Sequence, residues 1–284
     1  MTTWINETLH HEFRSGFFAE KILVDKKTPF QHLIIIENRL FGRIMLIDNV
    51  VQTTEADEYI YHESISHLPI FFHGGIERVL IIGGGDGGTA EEVLKHTEIK
   101  HVTLVEIDSI IIEASRTYLK SICKDAFEDE RLNLVIGNAK TYVENYYGPK
   151  YDLIIVDSSD PIGPAKELFS ESFYIDCKKC LNNEGVLVTQ NGVPFFQGKE
   201  LSSTLKIFNN LFSDASCFIA TIPTYVGGPM AFGWGTDNLD IRKTSSNIIL
   251  NRFKNSKLKL KHYNTEWHNT AFALPEYIAR LILD

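Results

Sequence analysis

The chain has 284 residues, with 28 Lys+Arg against 37 Asp+Glu, a formal charge of −9 and a pI near 5.6. That balance argues against general nucleic-acid binding, which needs a basic surface, and against a polybasic membrane anchor. With 44% hydrophobic and 23% charged residues the composition is that of a globular protein, and no apolar run approaches the roughly 18 residues of a membrane span. The opening segment, MTTWINETLHHEFRSG, has no continuous apolar stretch of the kind a signal peptide carries. The four cysteines are Cys123, Cys177, Cys180 and Cys217. Cys177 and Cys180 have metal-like or redox-like spacing, but a zinc site wants a second pair and none exists. Their apolar surroundings suggest two structural thiols on one helix face. The expectation is a cytoplasmic protein with reduced thiols and no metal.

Two textures follow one another along the chain. Residues 17–53 read as short β-branched and aromatic strands separated by turn signals such as Lys27-Thr28-Pro29 and Glu37-Asn38. They predict a small antiparallel β domain over residues 1–53. From residue 54 onward strands and helices alternate. A helical stretch over 55–69 precedes a strand at 78–82, a glycine cluster, a helix over 89–96 and a strand at 101–108. A helix over 109–120, a strand at 132–137, a short helix and a strand at 151–160 come next. A strand at 185–191, a helix near 199–212 and closing strands around 215–222 and 229–236 complete the pattern. Such alternation predicts an α/β domain over 54–284, a Rossmann-like parallel sheet with helices on both faces. Ligands bind such sheets at the carboxyl ends of the strands.

The first motif, Gly83-Gly84-Gly85-Asp86-Gly87-Gly88, lies between a strand and a helix. Glycines there allow a tight turn and close approach of backbone to a ligand. Glu106 stands twenty residues beyond Asp86, at the end of the next strand, where a carboxylate can accept both hydroxyls of a ribose. An adenosine-containing ligand is expected. Asp86 itself would repel a pyrophosphate, and the Gly-Lys-Ser/Thr of a phosphate-binding loop is missing. A carboxylate in that turn suits a cationic group, such as the sulfonium or amine of S-adenosylmethionine or a relative.

The second motif is Asp157-Ser158-Ser159-Asp160-Pro161-Ile162-Gly163-Pro164, at the end of the strand DLIIV. Asp, Ser and Pro are ordinary turn formers. At a strand end opening onto the cleft of Asp86 and Glu106, however, two carboxylates three apart can grip an ammonium or take a proton from an attacking amine. The third runs from Gln52 to Glu63 and joins the two domains, placing Tyr61 and His62 as hydrogen-bonding groups. The fourth, Ile222-Pro-Thr-Tyr225-Val-Gly-Gly228 followed by MAFGWG, offers Tyr225 and an apolar wall at Trp234. The remaining histidines, His67 and His96 among them, form no ligand spacing and read as ordinary surface or core residues.

Together VVQTTEADEYIYHE, IIGGGDGG, VEID, DSSDPIGPA and IPTYVGG resemble the polyamine aminopropyltransferase family, in its bacterial spermidine synthase branch. The likeness runs from Trp4-Ile-Asn-Glu-Thr-Leu to Ala271-Phe-Ala-Leu-Pro275. It implies an N-terminal β domain, a methyltransferase-type catalytic domain and a homodimer or homotetramer. It also implies transfer of an aminopropyl group from decarboxylated S-adenosylmethionine, the co-substrate, to putrescine, without a further cofactor. On this resemblance Gln31, Glu106, Asn138, Ala139 and Pro164 would hold the nucleoside, and Asp86 and Asp160 the amino groups. Gln52, Tyr61, His62, Ser158 and Ser159 would line the amine side, and Asp157 would act as acid–base residue with help from Tyr225. Asn138-Ala139 stands where the family usually has Asp-Gly; an Asn can still accept the adenine amino hydrogen through its carbonyl. Rival readings are a methyltransferase on the same fold, a non-catalytic nucleoside-binding regulator and a dinucleotide dehydrogenase. Asp86 argues against the first and last, and the pairing of Asp157 with Asp160 and Tyr225 against the second.

Overall fold

The computed structural model of the chain describes residues 3–283. Strands β1 (Thr3–Asn6) and β2 (Gly16–Ala19) form an antiparallel pair, with residues 7–15 looping between them. Strands β3 (Lys21–Lys27), β4 (His32–Asn38), β5 (Gly42–Ile47) and β6 (Val50–Thr54) make an antiparallel meander in that spatial order. The β5–β6 hairpin turns through Asp48 and Asn49, both at positive φ (52° and 61°), the conformation a tight two-residue hairpin demands.

Helix α1 (Glu58–His73) leads into the second sheet. There β7 (Arg78–Gly83), α2 (Gly88–Leu94), β8 (His101–Glu106), α3 (Ser109–Tyr118), α4 (Lys120–Cys123), β9 (Leu132–Ile136), α5 (Ala139–Glu144) and β10 (Tyr151–Asp157) alternate. They continue with α6 (Glu171–Cys180), β11 (Leu181–Gln190), α7 (Pro194–Leu211), β12 (Asp214–Ala220) and β13 (Met230–Thr236). Three short helices close the chain: α8 (Ser246–Ser256), α9 (Thr265–Thr270) and α10 (Glu276–Leu283). The sheet order is β12-β13-β11-β10-β7-β8-β9, with β13 antiparallel to both neighbours and the strands from β9 across to β11 parallel. Chain order reverses between β7 and β10, so a crevice opens between their carboxyl ends. Among the described residues no helix is long and apolar enough to cross a membrane.

The apolar run of β4 needs both faces covered. Ile34 and Ile36 pack with Phe17 and Ala19 of β2, while Leu33 and Ile35 pack on Ile111, Ala114 and Ile122 of α3 and α4. The small sheet is thereby bonded to the larger one through apolar contact. Gln52 of its last strand and Tyr61 and His62 of α1 border the crevice.

Two expectations are corrected. Helix α1 runs through Pro69 to His73, past the expected stop. Proline removes one helical hydrogen bond, but Leu68, Ile70, Phe71 and Phe72 are buried and their packing carries the helix on to Gly74. Trp234 forms no cleft wall. It is fully buried in β13, its indole N–H donating to Asp214 at 3.2 Å. The C-terminal helices had no sequence forecast. Buried Glu63 holds the segment before α9 by accepting the backbone N–H groups of Lys261, His262 and Tyr263 at 2.7–2.8 Å. The four cysteines are buried free thiols, and Cys177 and Cys180 sit in one apolar cluster, as their surroundings suggested.

Candidate active site

Five parallel strands deliver polar groups to one cleft. Gly83 to Asp86 follow β7, Glu106 ends β8, Asn138 and Ala139 follow β9, Asp157 to Asp160 follow β10, and Gln190 ends β11. Gln31 and Gln52 reach it from the small sheet, Tyr61 and His62 from α1, Tyr225 from the β12–β13 loop, and Pro164 from the 3₁₀ stretch 163–169. All fourteen residues that the resemblance assigns to the site therefore line the same space.

Asp157 is the best-held of them. Tyr61 donates its hydroxyl to Oδ1 at 2.5 Å and Thr89 donates to Oδ2 at 2.6 Å. The Asp157 carbonyl accepts from Gly84 N–H at 2.8 Å. Asp86 faces it across the turn, its Oδ1 accepting from Gly88 N–H at 3.0 Å. Removal from water and the nearby Asp86 charge push the Asp157 carboxyl above the usual range, against His62, Thr89 and Tyr61, which pull it down. Asp86 goes the other way. Burial would raise it, but the charge and hydrogen bonding of His62, with the Gly88 amide, hold it below. Two neighbouring carboxylates pushed apart in this way suit different tasks: one stays ionised and the other has the greater affinity for a proton.

The glycines make this contact possible. A Cβ on Gly83 would lie 2.3 Å from the Asp157 carbonyl oxygen, one on Gly85 2.8 Å from Glu106 Oε2, and one on Gly88 2.2 Å from the His62 ring. The turn is thus packed against the catalytic candidates themselves, a use of glycine beyond ligand approach.

On the nucleoside side, Glu106 accepts from Asp108 N–H at 2.9 Å, and Gln31 donates to Asp108 at 3.2 Å. Burial, with the adjacent Asp108 charge and against backbone amides, pushes the Glu106 carboxyl up to about 7. Asn138 is exposed and caps α5, its carbonyl accepting from Thr141 N–H at 3.1 Å. That carbonyl, expected to face an adenine amino group, already has a partner.

Tyr225 was expected to assist Asp157. Its hydroxyl instead donates to the Gln52 carbonyl, and Tyr61 carries the bond to Asp157. The two rings meet edge to face at 6.2 Å. The Ser158 hydroxyl is buried with no partner among the described residues, so it is free for a ligand.

Several lining residues escaped the sequence reading. Glu7, His10 and Phe13 come from the loop between β1 and β2, with His10 tilted against Phe196 at 4.5 Å and Phe13 stacked on it at 5.4 Å. Gln197, at a non-helical kink in α7, donates to Asp160 and accepts from Val193 N–H. Burial lifts Glu7 to about 7 and lifts Asp160 above the usual range, and the Asp160 charge adds to the effect on Glu7. A cation bound between them would relieve that repulsion and favour their ionised forms. Glu7 stands within the quoted Trp4–Leu9 segment, but its place over the cleft depends on β1 pairing with β2, which no local pattern announces.

His62, Asp86 and Asp157 each offer an atom within 4.8 Å of the others, a spacing that a metal ion can also use. Both His62 nitrogens, however, already face carboxylates, Glu58 Oε2 at 2.7 Å and Asp86 Oδ2 at 3.3 Å. A metal ligand needs a free lone pair on the ring.

Comparison with known proteins agrees with this architecture. Residues 58–245 match the model of the spermine/spermidine synthase domain, and residues 3–55 that of the spermidine synthase tetramerisation domain. A polyamine aminopropyltransferase of Ruegeria sp. (strain TM1040) is 48% identical over 98% of both chains. Polyamine aminopropyltransferase 1 of Pseudomonas aeruginosa is 45% identical over 97% of this chain and 96% of its own. The crystal structure of spermidine synthase from Thermotoga maritima superimposes with a TM-score of 0.90 at 31% identity, covering 99% of this chain and 94% of that one. A spermidine synthase in complex with the transition state analogue AdoDATO gives 0.93 at 32%, with the same coverage. With its two sheets, its cleft at the switch point and these full-length matches, the chain belongs to the spermine/spermidine synthase family and is an aminopropyltransferase.

Proposed function

We propose that the chain is a spermidine synthase, which moves an aminopropyl group from decarboxylated S-adenosylmethionine to putrescine. The observation that supports it most is the divergence of Asp157 and Asp86 at one strand end. The amine nitrogen attacks the aminopropyl carbon next to the sulfonium. The C–S bond breaks, its electrons return to sulfur, and 5′-methylthioadenosine leaves neutral. No oxyanion is formed, so neither an oxyanion hole nor a metal or cofactor is required. The obstacle is the nucleophile: an amine with a pKa near 10 is neutral in about one part in a thousand at pH 7. Asp157, with raised proton affinity, takes the amine proton, while Tyr61 and Thr89 fix its two oxygens. Asp86 stays ionised for a substrate ammonium. Ser158 and Ser159 border the amine, and Tyr225 and Gln52 close the wall behind it. Glu7 and Asp160, the latter held by Gln197, suit the remote ammonium of a diamine.

The nucleoside lies across Glu106, Gln31, Asn138, Ala139 and Pro164 in this reading. Asn138, whose carbonyl oxygen keeps a second lone pair beside the Thr141 bond, accepts the adenine amino hydrogen there. The tetramerisation-domain match over residues 3–55 supports a homodimer or homotetramer. The absence of a basic surface excess supports small-molecule partners and no nucleic acid, and the free buried thiols support a cytoplasmic setting.

The decisive experiment supplies the purified chain with decarboxylated and ordinary S-adenosylmethionine, each with a panel of amines, and weighs the products. Spermidine from the decarboxylated donor is expected; a methylated amine or no product refutes the reading. A pH effect also follows. Glu106 must ionise to accept two ribose hydroxyls, and its carboxyl sits at about 7 when the site is empty. Binding the nucleoside pulls that value down, so affinity falls as pH drops below 7 and is fully developed above 8. Methylthioadenosine binding at pH 7 should therefore release a proton, seen as a dependence of the calorimetric enthalpy on the buffer. A buffer-independent enthalpy contradicts it.

A further inference from the structure

Glu58 opens α1, one turn before His62. Its Oε2 lies 2.7 Å from His62 Nδ1, and on the far side of the ring Nε2 lies 3.3 Å from Asp86 Oδ2. A neutral imidazole has one N–H, so one of these contacts would set a ring lone pair against a carboxylate. Both are attractive only when both nitrogens carry hydrogen. The ring cannot turn away to escape: it is 2% exposed, and Gly88 packs so closely that a Cβ there would lie 2.2 Å from the ring.

The surroundings supply no substitute for its charge. Asp157 from β10 stands in the same cluster, and Tyr61 meets the ring edge-on at 5.3 Å. Among the described residues no Lys or Arg forms an ion pair with Glu58, Asp86 or Asp157. Burial drives an imidazolium towards the neutral form. The charge and hydrogen bond of Asp86, with those of Glu58, more than reverse this and push His62 well above its ordinary value.

We propose, on the reading of the cleft given above, that Glu58 is a positioning residue that acts through His62. By holding the ring as an imidazolium it keeps Asp86 ionised and fixed at the cleft wall for a cationic substrate. Without the Glu58 charge the ring loses a proton at lower pH. Its Nε2 lone pair then faces Asp86, which swings away or takes up a proton. The bond between Glu58 and His62 is therefore a charge setting for the donor site.

The test uses the full chain labelled with ¹⁵N-histidine, with the His62 signals assigned by comparison with His62→Gln. In the parent, both ring nitrogens of His62 should read as protonated from pH 6 to pH 9. In Glu58→Gln, which keeps the size and an acceptor oxygen, the midpoint should fall by at least one pH unit. The KM for the donor should then match the parent at pH 6 and rise at least fivefold by pH 9, with kcat changing less. Glu58→Asp, which keeps the charge, should retain the doubly protonated ring. A singly protonated His62 in the parent at pH 7 overturns the proposal, as does a Glu58→Gln profile superimposable on the parent. The resonance measurement needs no turnover, so it fails separately from the assignment of aminopropyl transfer.

Discussion

Replacing Asp157 with Asn is expected to lower kcat by about a thousandfold, within the range for loss of a general base. The change is nearly isosteric. Oδ1 still accepts from Tyr61, and the Thr89 hydroxyl can turn to accept from the new amide. What disappears is the only group at that strand end whose carboxyl is both raised and bonded on each oxygen. Methylthioadenosine affinity should stay within about threefold of the parent, because Glu106 and Gln31 are untouched; that is under about 1 kcal/mol. Single-turnover kinetics and a calorimetric titration check the two halves separately. A kcat within tenfold of the parent removes Asp157 from the role of base.

Replacing Gly83 with Ala should cost about 3 kcal/mol of stability, from a left-handed backbone and from overpacking together. Gly83 has φ +79°, and its Cβ would lie 2.3 Å from the Asp157 carbonyl oxygen and 3.2 Å from Ser158 Cα. Both obstacles are backbone, so no side-chain rotation relieves them. Strands β7 and β10, which pair Gly83 with Asp157, must part at the point where the proton acceptor is held. Thermal unfolding should shift down by roughly 5 °C, and turnover should fall with it. Gly137 provides the internal control. It lies in the same cleft, yet an added Cβ meets nothing within 4 Å, so Gly137→Ala should leave the melting temperature within about 1 °C. Equal losses in the two variants would show that the Gly83 contact with β10 is not what sets the cost.

Much of the site was legible because its chemistry sits at strand ends. An apolar strand such as RVLII or DLIIV is a local pattern, and whatever follows it lies at the carboxyl edge of a parallel sheet. Asp86, Glu106 and Asp157 were therefore placed in one cleft without knowledge of strand order. Residues contributed by irregular backbone were harder. Glu7 lies on a loop whose position depends on a short exposed strand pairing with β2. Gln197 acts from a helical kink that has no sequence signature. The role of Tyr225 was assigned one residue too generously: a tyrosine near the cleft was foreseen, but which hydroxyl reaches Asp157 depends on α1 and the β12–β13 loop meeting over the sheet.

The acidity noted at the outset divides along the same line. The amino-acid sequence by itself determined that carboxylates cluster at strand ends, because strand ends and charges are both local properties. The tertiary structure decided their protonation. Asp86 is held ionised by His62, while Asp157, Glu106, Glu7 and Asp160 are pushed towards neutrality. Those opposite directions arise from desolvation and from partners brought together across the fold. Asp157 meets Tyr61 from 96 residues away. A charge count contains the number of acids; only packing determines which of them keep their charge in the empty cleft.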